Sequence, residues 1–428
     1  ESKSKADKFV SNSIKVFFVI TILVSSLIFF LSPILAKVLA PSYDSELTEH
    51  LSIYIKIFAP ALVLIVEMAV FNALLKANEH FVPGEFIGFN QSVIVIILVI
   101  LFGAQHGPNI LVVALYLYAV FNLFYLMVCS RKLWFFRRGN PFRDSDIKRL
   151  LVMMGPLLFG YSMIFVNQQV DKIIVSGLGE GTLTAMGYAA TLSNFVCTFT
   201  GSICGVMFTY ITQDIAESNE VGAANIVTKT SIQMITFLIP ISIIAIMNSG
   251  DFIRVIFGRG KFDDVAVQNC SMALIGYCLM FVPYILRELF ARFQYAYGDS
   301  KQPMINSSIA IVVNIILSIL LSRWLGVLGV TAATSVSVLI TAVLNIYFSK
   351  KKNNYIAGSA IAKCLPLWAF GAIACVAVSL VFQKIFASIT VIIRLIIIIL
   401  VSLLIYCIIN IPIIMQIIQN FRSIRNME

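Results

Sequence analysis

The sequence predicts an all-α, polytopic membrane protein, and three observations lead there. Long apolar stretches, most of about 20 residues or more and separated by short polar breaks, fill nearly all of the 428 residues. Hydrophobic residues make up 59% of the chain and charged residues 12%, against about 25% charged in ordinary soluble domains. A hydrocarbon core about 30 Å thick takes roughly 20 apolar residues as a helix, and in lipid every backbone N–H and C=O must be paired within its own segment. A transmembrane barrel would instead show alternating segments of about ten residues, and none is visible.

Twelve spans follow in order. The chain opens on a polar run, Glu1 to Lys8, with no apolar core directly behind a few positive charges, so this is not a signal peptide. A start at Glu1 rather than Met reads as a fragment whose true start lies upstream. The first span is 12–40. The second, 51–76, contains Pro60, and the third, 84–103, is opened by Pro83; the fourth is 109–130. A polar connection, 131–149, mixes aromatics with arginines (Arg131-Lys-Leu-Trp-Phe-Phe-Arg-Arg138), as a segment lying on an anionic inner leaflet would. Spans 148–176, 184–211 and 225–248 follow. The span 265–297 contains Pro283, and 303–323 is opened by Pro303; 327–349, 359–383 and 387–416 complete the set.

A repeat organises these spans. Ile57-Phe-Ala-Pro60, a helix, and Lys76-Ala-Asn-Glu-His-Phe-Val-Pro83 correspond to Met280-Phe-Val-Pro283, a helix, and Tyr297-Gly-Asp-Ser-Lys-Gln-Pro303. Two copies in the same orientation, offset by an even number of spans, are parallel repeats about an axis along the membrane normal. With six helices per lobe, the division is an N-terminal lobe at 1–130, incomplete with four helices. A cytoplasmic basic linker at 131–149, a six-helix lobe at 150–350 and two further helices with a tail at 351–428 follow. The first lobe then lacks its first two helices.

Charge sets the orientation. Eighteen Lys and Arg lie in or beside the connections on the side of the N-terminal tail, the 131–149 linker, Lys350 to Lys352 and the C-terminal tail. Five (Arg254, Arg259, Lys261, Arg323, Lys384) lie on the other side, or seven with Lys37 and Lys56. The excess predicts that both ends are cytoplasmic. This placement also turns the net charge of +10 away from nucleic acid. The eight cysteines lie mostly inside apolar stretches without CxxC spacing and read as small core side chains. The three histidines fall in predicted loops far apart and form no ligand set. No metal or cofactor is expected. No phosphate-binding GxxxxGK[ST], HExxH or GxSxG motif is present, so the expectation is a carrier and not an enzyme.

Polar side chains at bilayer depth usually face a cavity or a partner. The span at 148–176 carries Asn167, Gln168, Gln169, Asp171 and Lys172, and the span at 265–297 carries Arg287, Glu288, Arg292 and Gln294. Glu67 and Asn72 lie in the span at 51–76, the repeat-equivalent region. Glu288 and Arg292 have the favourable i,i+4 order, which leaves Arg287 as the arginine for a phosphate, through its planar fork of donors. Asp171 and Lys172 also read as residues that snorkel toward the headgroups. The scattered amides Asn90, Gln91, Asn122, Asn194, Gln233, Asn314 and Asn345 read as interhelical hydrogen-bonding glue.

The run Val255-Ile-Phe-Gly-Arg-Gly-Lys-Phe-Asp-Asp264, then Arg287-Glu-Leu-Phe-Ala-Arg292 and Phe293-Gln-Tyr-Ala-Tyr-Gly-Asp-Ser-Lys-Gln-Pro303, resembles the lipid II flippases, the MurJ/MviN family of the multidrug/oligosaccharidyl-lipid/polysaccharide exporter superfamily. Met154-Gly-Pro156 with Val170-Asp-Lys-Ile-Ile-Val-Ser176 is similar to the opening helix of that family's second lobe. The resemblance extends from the first span to about residue 350. It implies fourteen helices, two six-helix lobes around a central cavity plus two that line a lipid-tail groove, with this chain beginning at the third. Two departures follow: the family's first two helices, which supply cavity arginines, are absent from this chain, and Tyr188-Ala-Ala-Thr-Leu192 carries Thr191 where the family keeps an arginine.

The expectation is a flippase of the bacterial inner membrane for an undecaprenyl-diphosphate-linked glycan, lipid II or a relative, working by alternating access among membrane lipids with a coupling ion. Its substrate-binding set is Glu67, Gln168, Gln169, Asp171, Lys172, Thr191, Arg287, Glu288 and Arg292. The rival readings are an ion-coupled multidrug exporter of the same superfamily and a transport-inactive scaffold.

Overall fold

The computed structural model describes residues 2–41, 43–78, 80, 82–133, 140–141 and 144–416. Among these residues every extended regular element is an α-helix. In order they are α1 (Ser2–Leu39), α2 (Ser45–Phe58), α3 (Ala61–Ala77), α4 (Val82–His106), α5 (Asn109–Ser130), α6 (Ser145–Ser176), α7 (Thr182–Ala216) and α8 (Glu220–Met247). Then come α9 (Ser249–Phe257), α10 (Asp264–Cys278), α11 (Phe281–Ala296), α12 (Lys301–Leu325), α13 (Val327–Lys352), α14 (Gly358–Ile385) and α15 (Val391–Ile409). Among the described residues, nine helices are long and apolar enough to cross a membrane, and eleven spans result when each of two bent pairs counts as one. The remaining predicted span is α6, a continuous helix of 32 residues, about 48 Å long at 1.5 Å per residue.

The bent pairs correct the sequence reading. The spans predicted as single helices at 51–76 and 265–297 are each broken: α2 meets α3 at 43°, and α10 meets α11 at 41°. Proline is the cause in both. Pro60 is the N-cap of α3, and Pro283 lies in the first turn of α11. Neither has an N–H to continue the preceding helix, and each ring crowds the carbonyl four residues back, whereas a first turn tolerates both defects. The two breaks fall at the two repeat-related prolines.

Three smaller corrections have local causes. The predicted loop after 248 contains α9, a nine-residue helix that buries Ile253. The first helix begins at Ser2 and not at 12, so the polar run is helical; Asn12 Nδ2 donates to Asp144 Oδ2 at 2.7 Å. His50 lies within α2, which starts early because Asp44 caps it, accepting from the Leu47 N–H at 2.8 Å. Most of the polar stretch within the 131–149 linker, residues 134–139 and 142–143, lies outside the described residues, as do Arg422 and Arg425.

The chain divides into two compact units, Glu1–Tyr161 and Ser162–Glu428. In the first, α3 packs on α1 and α5, and α4 on α5, around Met68, Phe71, Leu75, Ala119 and Leu126. In the second, α7 packs on α10 and α11, both of these pack on α13, and α13 lies along α12. Ile285, Leu289, Phe290 and Phe293 of α11 are fully buried there. The helices α14 and α15 pack on each other and on α8 within this second unit, with Trp368 Nε1 donating to Thr236 Oγ1 at 2.9 Å. Six of the eight cysteines are buried and all are free thiols.

Candidate functional site

Within the second unit, α6, α7, α11, α12 and α13 enclose a cavity of about 910 Å³. Burying α11's Ile285, Leu289 and Phe293 against the core leaves its opposite stripe, Tyr284, Arg287, Glu288, Ala291, Arg292 and Tyr295, to line that cavity. Helical periodicity therefore delivers both arginines and the intervening carboxylate to one wall.

Their pairing differs from the sequence expectation. Arg287, not Arg292, is the close partner of Glu288: its Nη2 donates to Glu288 Oε1 at 2.8 Å. The guanidinium of Arg287 also lies over the Tyr284 ring, 4.7 Å from its centroid, a cation–π arrangement that turns it toward the neighbouring carboxylate. Arg292 Nη2 stands 3.7 Å from Glu288 Oε2, beyond hydrogen-bond reach. Arg292 Nε is buried without a partner, and the guanidinium makes no hydrogen bond among the described residues. The uncommitted arginine is therefore Arg292. Two guanidinium groups against one carboxylate leave one net positive charge on this wall.

The backbone behind the cluster is braced by three amides, of which Asn345 is one the sequence reads as glue. Asn345 Nδ2 donates to the Arg287 carbonyl at 3.2 Å, Asn306 Nδ2 to Asn345 Oδ1 at 2.8 Å, and Gln294 Nε2 to the Asn345 carbonyl at 3.1 Å. These bonds fix α11 on α13 and hold the arginines at the wall.

Farther along the same cavity lies Asp171. It accepts from Ser318 Oγ at 2.8 Å and from Thr334 Oγ1 at 3.4 Å, so α12 and α13 both reach it. That engagement replaces the snorkelling reading for Asp171; Lys172 beside it is exposed and lines the cavity. Asn167, Gln168 and Asn194 line it as well. Gln169 does not appear in that lining, nor does Thr191. The Thr191 hydroxyl donates to its own helix at the Gly187 carbonyl, 2.9 Å away. Glu67 belongs to the first unit, where it is buried and neither carboxylate oxygen has a partner among the described residues. Sequence reasoning missed Tyr284, Tyr277, Ser318 and Thr334. The tyrosines carry no charge signal, and the hydroxyls look like ordinary small helix-packing residues until the helices are assembled.

Chemically, this wall suits an anion held by forked donors, in a chamber whose other lining mixes amides, hydroxyls, tyrosines, Asp171 and Lys172 with apolar side chains such as Leu183, Met186 and Ile311. Residues 1–417 match the family described as Lipid II flippase MurJ. A probable lipid II flippase MurJ of Rickettsia prowazekii (strain Madrid E) is 23% identical over 361 residues, 82% of this chain and 70% of the relative. One from Vibrio cholerae serotype O1 is 26% identical over 305 residues, 69% and 57% of the two chains. Among solved structures, a lipid II flippase MurJ in an inward closed conformation superposes with a TM-score of 0.81 at 20% identity, covering 97% of this chain and 86% of that one. An inward-facing multidrug resistance MATE family transporter of the MOP superfamily gives 0.68 at 12% identity, covering 82% and 81%. At such identities the structural likeness speaks to fold alone, but the family match spans almost the whole sequence. This chain belongs to the lipid II flippase MurJ family.

Proposed function

We propose that this protein carries an undecaprenyl-diphosphate-linked glycan, lipid II or a related lipid-linked oligosaccharide, across the bacterial inner membrane. The headgroup enters the cavity of the second unit while the polyprenyl tail stays in lipid. Two lobes rock about the central axis, so the cavity opens to one side at a time. No bond is made or broken. An ion gradient or the membrane potential, worth about 2.3 kcal/mol per charge per 100 mV, supplies the direction.

The observation that supports this reading most is Arg292, a guanidinium that faces a cavity in a membrane chain and makes no hydrogen bond among the described residues. Such a group is expensive at bilayer depth unless a ligand completes it, and a phosphoryl group matches its forked donors. The same wall weighs against a multidrug exporter. An exporter of organic cations needs an available carboxylate on the wall that meets its substrate, whereas Glu288 there lies between two arginines.

The test is transport of a fluorescent polyprenyl-diphosphate glycan into vesicles reconstituted with the purified full-length protein. Arg292→Ala is expected to lower transport by about ten- to hundredfold, the loss of one charge-assisted pair, at near-normal abundance in the membrane. Wild-type transport by this variant would remove the diphosphate reading. Absence of transport by the native full-length protein would leave the inactive scaffold.

A further inference from the structure

We propose that Glu288 sets the charge selectivity of the cavity. Its carboxylate holds the place between two guanidinium groups that two phosphoryl groups would take, so a diphosphate displaces it and a monophosphate does not. This rests on reading Arg287 and Arg292 as the diphosphate site.

The geometry is an uneven bridge. One oxygen of Glu288 is hydrogen-bonded to Arg287 at 2.8 Å and the other faces Arg292 at 3.7 Å. One carboxylate is thus stretched between two cations without satisfying the second. All three side chains are between 25% and 30% exposed, so the carboxylate has water to turn into when released and does not become a bare buried charge.

Compare the exchanges that two ligands offer. A monophosphate that bonds Arg292 alone meets Glu288 as a like charge at its shoulder. To bond both arginines it must expel Glu288, trading one anion for another with little gain. A diphosphate brings two linked phosphoryl groups, one for each guanidinium. It replaces a single hydrogen bond and a long ion pair with two charge-assisted forks. The internal carboxylate therefore raises the threshold for any single anion and is overcome by a paired one, a specificity achieved by a repulsive element as well as attractive ones. For a carrier lipid, this distinguishes the glycan-bearing diphosphate from the same lipid left with one phosphate once the glycan and the other phosphate have been removed.

The experiment measures binding of two soluble probes, farnesyl diphosphate and farnesyl monophosphate, to the full chain in nanodiscs. The probes share a tail and differ by one phosphoryl group. The wild-type chain is expected to prefer the diphosphate by about tenfold or more. In Glu288→Gln the monophosphate should gain about tenfold while the diphosphate gains less, so the ratio collapses. Arg292→Gln, which leaves the Arg287–Glu288 bond intact, should also lose the preference, this time because diphosphate binding falls. An unchanged ratio in Glu288→Gln overturns the role of Glu288, while loss of diphosphate binding in Arg292→Gln leaves the diphosphate site itself standing. No binding of either probe to the wild type overturns both. If Glu288→Gln does not fold, Arg292→Gln decides: a retained preference refutes the proposal.

Discussion

The two carboxylates of the cavity are used in different ways. Glu288 faces cations, whereas Asp171 has hydroxyl donors and no ion pair among the described residues. Asn314 Nδ2 donates to Thr334 Oγ1 at 3.3 Å, and the Thr334 proton is shared between Asp171 Oδ2 at 3.4 Å and the Val330 carbonyl at 3.2 Å. A carboxylate inside a membrane helix, ringed by oxygen-bearing side chains, is the kind of group on which a coupling ion acts. Asp171→Asn preserves the shape, and the hydroxyls can turn to suit an amide. Its expected outcome is normal abundance with transport that no longer responds to an imposed cation gradient across the vesicle; a wild-type response would show that coupling resides elsewhere. Sequence could reveal Asp171 but not its neighbours. Ser318 and Thr334 lie 147 and 163 positions away, and no periodicity links them. The choice of Glu288 between two arginines was equally hidden. Helical spacing favoured Arg292, and the Tyr284 ring that draws Arg287 into place carries no such rule.

Helices are the scale at which the sequence was most legible, because proline chemistry and hydropathy are local. Pro60 and Pro283 marked both the repeat and the places where two spans break. What hydropathy missed was short or tertiary: α9 is too brief to register as a span, and Arg394 of α15 fastens it through Asp251, with Nη2 to Oδ2 at 2.6 Å. Close helix approach was also invisible. At Gly276, α10 lies so near α13 that an added Cβ would overlap the Thr331 hydroxyl and stand 2.9 Å from the Ala332 backbone nitrogen. Ser335 Oγ seals the contact, donating to the Gly276 carbonyl at 2.5 Å. Because backbone cannot yield as a flexible side chain does, Gly276→Ala should destabilise the second unit by about 1–3 kcal/mol. Thermal unfolding in detergent should show a lowered midpoint, and an unchanged midpoint would contradict the close approach. The amide brace at Asn345 links α11 to the same helix, so transport is expected to fall along with stability.

For the whole molecule, the open question with the clearest consequence is which way it faces. Parity and charge give one proposal. Four spans (α1, α2 with α3, α4, α5) separate the N-terminal run from Lys132, so these two lie on one side. Three more (α6, α7, α8) separate Lys132 from Lys261, so these lie on opposite sides. The eighteen basic residues that accompany the first side, against five or seven on the other, place that side in the cytoplasm. The proposal is tested with single cysteines at exposed positions on a background whose native thiols are mostly buried. In intact cells from which the outer membrane has been removed, an impermeant maleimide is expected to label Lys261→Cys and to spare Lys132→Cys until the cells are permeabilised. Labelling of both before permeabilisation would mean that one of α6, α7 and α8 does not cross. The reverse pattern would turn the protein over. The side assigned to the N-terminal run would then be the outer one, and the direction of transport would have to be argued anew.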